Sequence, residues 1–419
     1  MNVLPSPSSS PLSSSPLPTA GTFSMKPLMF ETLVCTLAMM SFVALIGPIS
    51  RVLGLAPWQA GLTVTMGGLA WVLLARRWGA ASDRYGRRRI MLQGLGGFVV
   101  SYALMCAVIV IALRNPPPVW LAVAGLVALR CLSSGFYAAV PATAAALIAD
   151  HVPPQKRAGA MATLGAASGM GMVAGPGVAG ALAVHSLHLP LVITAVLPLI
   201  ALVVLWRRLP RTELHAKPDA TPLKIGDRRL RRPMAVAFVA MFSVMVAQVV
   251  VGFFALDRLH LETTAAARAA GIALTVVGVA LILAQVVVRS LEWPPERLIR
   301  IGGVVSALGF GSVLLATSQA ALWTGYFFAA AGMGWVFPSV TALAANAVKA
   351  HEQGATAGTV GAAHGFGMIA GPLAGTAIYH IDPRAPYALI AILLMLAALW
   401  PGRSPKAEWL EAGPPATSQ

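Results

Sequence analysis

Twelve apolar stretches recur along this chain of 419 residues, and most are about 20 residues long or longer. A helix of ~20 apolar residues spans the hydrocarbon core of a bilayer. The stretches lie at 28–50, 57–78, 89–112, 119–149, 159–183 and 189–206, then at 234–256, 268–289, 298–317, 320–347, 355–379 and 385–401. They are continuous rather than alternating, which excludes a transmembrane β-barrel. Lipid offers no hydrogen bonds to an open backbone, so each stretch must be helical. Only 11% of the residues are charged and 57% are hydrophobic, against about a quarter charged in a soluble domain. The expectation is an all-α integral membrane protein of twelve transmembrane helices.

Basic residues are sorted by side. If residue 25 is cytoplasmic and the helices alternate, cytoplasmic segments hold 24 Lys and Arg and outer loops hold 5: Arg51, Arg114, Arg258, Arg268 and Arg384. That bias fits the positive-inside rule with both termini in the cytoplasm, and a missed helix would scramble it. The net charge of +16 is thus explained by topology and membrane lipid, and no nucleic-acid partner is expected. Residues 1–24 are Ser/Pro-rich and uncharged. They lack the basic and apolar regions of a signal peptide and are expected to be disordered. Met25, followed by Lys26, is an alternative start. The organisation expected is a six-helix half at 25–206, a basic cytoplasmic loop at 207–233, a second six-helix half at 234–402 and a cytoplasmic tail at 403–419. Cys35, Cys106 and Cys131 are scattered in apolar runs and imply neither a metal site nor a disulfide framework.

The halves repeat each other. Residues 165–176 read GAASGMGMVAGP and residues 361–372 read GAAHGFGMIAGP, identical at nine of twelve positions with an offset of 196. Pro141 and Pro338 echo the relation within one residue. Parallel repeats of six helices are a transporter architecture, with the substrate at the interface of the halves. The glycines Gly165, Gly169 and Gly175 suit close helix approach. Pro176, and Gly371 with Pro372 in the second copy, suit a bend. The run therefore reads as a smooth surface between the halves.

Residues 79–89 read GAASDRYGRRR and suggest a tight cytoplasmic turn, with Gly79 and Gly86 supplying backbone freedom. Gly79, Asp83, Arg84, Gly86, Arg87 and Arg88 resemble the signature between helices two and three of the major facilitator superfamily. The resemblance spans roughly 25–402. It implies that this stretch latches the two halves in the outward-facing state, with Asp83 as the charge partner. The second half keeps only a degenerate copy at 289–297. Arg130 is the one Lys or Arg deep in a span, and such a charge must face a cavity or a partner. Arg130 with Gly135 resembles the superfamily's fourth-helix motif, which implies a part in proton coupling. The run ending at Gly175 and Pro176 resembles the motif of the drug:proton antiporter branch, which implies export. Residues 42–48 and 53–61 resemble siderophore exporters of the alcaligin-exporter type.

Other polar residues are open to two readings. His364, where the repeat has Ser168, is either a proton carrier or a histidine bonded within the bundle. Gln248 and Gln285 either bind substrate or pair across helices. Phe253, Phe254, Trp335 and Phe337 either line a cavity or fill the core. No carboxylate is expected deep in a span. Glu31, near the cytoplasmic end of helix one, is the best remaining proton-coupling candidate, or else an interfacial residue with its head in water. Taken together, the expectation is a monomeric secondary transporter of a bacterial inner membrane, without cofactor or metal. It would export a small molecule against proton entry, with a siderophore as substrate or, alternatively, a drug or antibiotic. No catalytic constellation such as H-E-x-x-H is present, so no enzyme is expected.

Overall fold

The computed structural model describes residues 24–209, 228–291, 293–348 and 353–400. The Ser/Pro-rich start, most of the central basic loop and the tail lie outside the described residues. Thirteen α-helices are present among them, with a single 3-10 turn at Arg228–Leu230. The first group is α1 (Lys26–Val52), α2 (Pro57–Tyr85), α3 (Arg87–Arg114), α4 (Val119–Tyr137), α5 (Ala139–His151), α6 (Pro154–Ala183) and α7 (His188–Arg208). The second is α8 (Arg231–Asp257), α9 (Thr263–Leu291), α10 (Pro295–Val313), α11 (Gln319–Asn346), α12 (Gln353–Tyr379) and α13 (Ala385–Leu399).

The twelve expected spans are present, with one of them in two pieces. The fourth span breaks at Ala138 into α4 and α5. Pro141 has no N–H to give to the carbonyl of Tyr137, and its ring crowds that carbonyl. The equivalent proline in α11, Pro338, leaves the helix continuous. There the Gln285 amide donates to the Gly334 carbonyl at 3.3 Å, the group that Pro338 deprives of its helical partner. Gln285 thus pairs across helices.

A belt of exposed apolar side chains faces outward, including Leu73, Val100, Ile111, Ile282, Val286, Leu308 and Leu396. Trp58 and Trp120 are exposed near the outer ends of their helices, and Trp206 and Trp400 near the cytoplasmic ends. Tryptophan at both interfaces marks the two water boundaries of a membrane protein. Inside, the buried tyrosines are paired: the Tyr102 hydroxyl donates to the Ala38 carbonyl at 2.6 Å. Tyr326 donates to the Ala247 carbonyl at 2.7 Å and lies 2.8 Å from the Tyr387 hydroxyl. Phe253 and Phe254 are fully buried core residues.

The repeated glycine run does two different jobs. Gly171 and Gly175 seat α6 on α1: a Cβ at either would lie 2.5 Å from the Leu33 or the Leu37 carbonyl oxygen. Gly367 and Gly371 seat α12 on α8 in the same way, against Phe238, Met241, Phe242 and Met245. These contacts lie within each half. Pro176, Gly177 and Gly180 instead face α9 of the other half. A Cβ at Gly271 would lie 2.6 Å from the Pro176 oxygen, and one at Gly177 2.6 Å from the Thr275 hydroxyl. The run is therefore two seams on different faces of one helix rather than one surface between halves.

Candidate functional site

The contacts across the halves sit toward the outer side. Gly47 of α1 crosses Gly252 of α8, with backbone 3.0 Å from a Cβ placed at Gly47. Gly61 of α2 meets Pro372 and Thr376 of α12. One turn deeper, the Thr65 hydroxyl donates to the Ile369 carbonyl at 2.8 Å and accepts from the Leu373 N–H at 3.1 Å. It thereby stands between a carbonyl and the amide four residues on, where α12 would normally bond to itself. At the outer rim Arg51 forms an ion pair with Asp257.

Toward the cytoplasm the same stripes part. On α12, Gly365 has only Val72 within 4 Å of an added Cβ, at 3.9 Å, while Gly361 and Gly358 further along have nothing. On α6, Val173 packs on Gly278, but Gly169 one turn below and Gly165 have nothing within 4 Å. The halves thus meet outside and separate inside, which leaves a central space open to the cytoplasm.

Arg130 of α4 is buried near the middle of the membrane. Its guanidinium carbon lies 5.0 Å from the centre of the Phe42 ring, and Nε and Nη1 are buried without a hydrogen-bond partner. Gly67 of α2 admits it, since a Cβ there would come within 2.7 Å of the arginine Cγ and 2.9 Å of the Ser134 hydroxyl. The buried indole nitrogen of Trp71, one turn along the same face of α2, also lacks an acceptor. The cation–π contact offsets only part of the cost of this charge.

Glu31 does not take the interfacial one of its two readings. It is fully buried rather than interfacial, with 0% exposure. Oε2 accepts from the Thr32 hydroxyl at 3.1 Å, Oε1 is buried without a partner, and Cys35 lies beside the carboxylate. Lipid cannot solvate a carboxylate, so α1 turns this face into the bundle, toward Tyr137 of α4. Glu31 and Phe42 are eleven residues apart on α1, or roughly 16 Å at 1.5 Å per residue. Glu31 and Arg130 are therefore at different depths. In the other half, Gln248 Oε1 and His364 Nε2 are buried and unpartnered, and His364 stands edge-on to Phe337 at 5.7 Å between ring centres.

The 79–89 stretch is not a turn along its length. Helix α2 runs through to Tyr85, and the chain breaks only at Gly86, whose φ of 95° suits glycine alone. Gly79 is helical, with nothing within 4 Å of an added Cβ. Arg87 is buried and pairs with Asp83, with the Asp150 carboxylate at 3.1 Å and with the Ser82 hydroxyl at 2.7 Å. Arg88 donates to the carbonyls of Trp206 at 2.7 Å and Leu209 at 3.1 Å. Arg84 lies over the Tyr85 ring. These bonds stay within the first half, and Asp83 is about half exposed, with 53% of its side chain accessible.

The sequence profile described as Major Facilitator Superfamily matches residues 28–292 and 236–417. The chain belongs to the major facilitator superfamily. It is similar to the tetracycline resistance protein, class C, of Escherichia coli, with 30% identity over 336 residues, covering 76% of this chain and 79% of that one. Identity to the tetracycline resistance protein, class G, of Vibrio anguillarum is 29% over 338 residues, covering 78% and 81%. The multi-drug resistance efflux pump PmrA homolog of Lactococcus lactis is 24% identical, covering 81% and 84%. Among solved structures, a bacterial homolog of the human lysosomal transporter Spinster, in an inward-facing and occupied conformation, superposes with a TM-score of 0.72. Its identity is 14%, and coverage is 89% of this chain and 94% of that one. The nucleoside transporter NupG gives 0.73, with 12% identity and coverage of 89% and 98%. This superfamily member is a multi-pass secondary transporter of the bacterial inner membrane, not an enzyme.

Three features escaped sequence reasoning. Thr65 is one hydroxyl among many in apolar helices and carries no signal. Trp71 looks like core filling. Arg51 and Asp257 did carry a signal: they are opposite charges at the outer ends of the first helix of each half.

Proposed function

We propose that this transporter exports a small organic drug or antibiotic from the cytoplasm in exchange for protons. The observation that carries the reading is similarity to resistance proteins over about four-fifths of their length, including one named an efflux pump. A central space open to the cytoplasm is the state in which an exporter loads. The siderophore reading rests only on the likeness of residues 42–48 and 53–61 to siderophore exporters, so antibiotic export is the better supported substrate class. Arg130 acts in coupling as an uncompensated cation that a proton or a charged substrate must sense. Glu31 and His364 are the proton-carrying groups, and Gln248 is the polar contact for substrate in the second half. Gln285 is occupied by the Gly334 carbonyl and serves the helix instead. Pro176 and Pro372 are the bends about which the outer seams open, and the 79–88 signature is the inner latch.

The test is expression in an efflux-deficient bacterium, with susceptibility to tetracycline and a drug panel, and uptake into everted vesicles. Drug uptake that collapses with the pH gradient is expected. Unchanged susceptibility together with lost siderophore secretion in a deletion strain would overturn the antibiotic reading in favour of the siderophore.

A further inference from the structure

The outer rim carries a charged contact that the sequence signatures do not cover. Arg51 is the next-to-last residue of α1, Asp257 ends α8 and Tyr379 ends α12. Arg51 pairs with one oxygen of Asp257, and Tyr379 donates its hydroxyl to the other, Oδ2, at 3.0 Å. Tyr379 is itself buried, at 3% exposure, with its ring 5.8 Å from that of buried Phe253. The second half thus holds its carboxylate rigidly through a tyrosine of its own. The first half reaches across with an arginine that remains half exposed, with 51% of its side chain accessible.

The position magnifies the effect. Directly beneath, Gly47 and Gly252 let α1 and α8 cross backbone to backbone. The outer ends of these two helices cannot separate without parting Arg51 from Asp257. Meanwhile the bonds of Arg87 and Arg88 at the cytoplasmic end of α3 run to Asp83, Asp150, Trp206 and Leu209 of the first half. We propose that Arg51, Asp257 and Tyr379 form an outer latch that holds the transporter cytoplasm-open, opposed to the inner latch at Asp83. The proposal rests on the alternating-access reading above. The two latches bias one equilibrium in opposite directions, so weakening each must move it oppositely.

The experiment uses the full chain in membrane vesicles, with Cys35, Cys106 and Cys131 replaced and one reporter cysteine added. Gly165→Cys reports the cytoplasmic space, and Thr376→Cys reports the outer seam, where Thr376 is now fully buried against Gly61. The probe is a membrane-impermeant maleimide. Arg51→Gln and Asp257→Asn are expected to raise outside labelling of Thr376→Cys about fivefold and to lower labelling of Gly165→Cys from the cytoplasm. Tyr379→Phe, which keeps both charges, is expected to raise outside labelling of Thr376→Cys about twofold. Asp83→Asn moves both reporters the other way. The charge swap Arg51→Asp with Asp257→Arg returns labelling toward the parent, which a merely unfolded variant does not. If the parent alternates under an imposed proton gradient but Arg51→Gln and Asp257→Asn label like the parent, the latch is refuted. If neither reporter in the parent responds to that gradient, the transport reading itself is refuted.

Discussion

Gly271→Ala is the perturbation whose size follows most directly from the packing. Its Cβ would sit 2.6 Å from the Pro176 oxygen and 2.7 Å from Gly180 Cα. Ordinary carbon contacts lie at about 3.5–4.0 Å, so α9 and α6 must part by about 1 Å at the outer seam. Overpacking of this kind costs about 1–3 kcal/mol. The cost falls only on the state in which the seam is closed. The gain in helix propensity from glycine to alanine, about 1 kcal/mol, falls on both states and cancels. With about 2 kcal/mol against the closed seam, the ratio of outward- to inward-open molecules rises by roughly 30-fold. The assay is the outside labelling of Thr376→Cys in vesicles. The control is Gly361→Ala, where a Cβ meets nothing within 4 Å and labelling stays at the parental value. Labelling of Gly271→Ala within twofold of the parent, in a protein of normal abundance, would refute the reasoning that this seam is the closed outer gate.

The other expectations follow the same logic. Thr65→Val removes the hydroxyl that joins Ile369 and Leu373 to the first half; α12 can then close its own ladder, and outside labelling rises about three- to tenfold, as for loss of about 1 kcal/mol. Gly86→Ala forces a β-carbon into a backbone with φ 95° and costs about 1–3 kcal/mol, read as a lower melting temperature in detergent, while Gly79→Ala, in an open helical position, raises it slightly. Arg130→Met removes a buried cation whose Nε and Nη1 have no acceptor, so the melting temperature holds or rises while vesicle export falls at least tenfold; a lower melting temperature would show that the arginine has a structural partner.

How much of this was legible beforehand depends on which force decides each feature. Span number and orientation come from hydrophobic length and charge sorting, which are local properties, and the helix ranges match expectation closely. Pro141 and Pro338 show where locality ends. Both lack an N–H, yet one helix breaks and the other is rescued by Gln285, fifty-three residues away in sequence. The glycine run shows the same limit, because spacing reveals closeness but not the neighbour. Gly171 and Gly175 face α1, Pro176, Gly177 and Gly180 face α9, and Gly165 and Gly169 face open space. For Glu31, a position near a helix end leaves an interfacial head open as one reading, whereas the facing of α1 puts its carboxylate inside the bundle.

The outer rim shows why a repeat can conceal a gate. The packing of α6 on Leu33 and Leu37 is reproduced by α12 on Phe238 and Phe242, an offset of 205. The same offset takes Gly47 to Gly252, and these two residues touch each other. Equivalent positions that meet must lie on the pseudo-twofold axis relating the halves. Just above that point the offset carries Arg51 to position 256, beside Asp257. A perfect repeat would bring two arginines together at the axis and push the outer ends apart. One opposite charge there turns repulsion into attraction. The repeat aligns the glycines and cannot report the departure beside them, so the feature that biases the transporter toward the cytoplasm lies where the halves differ.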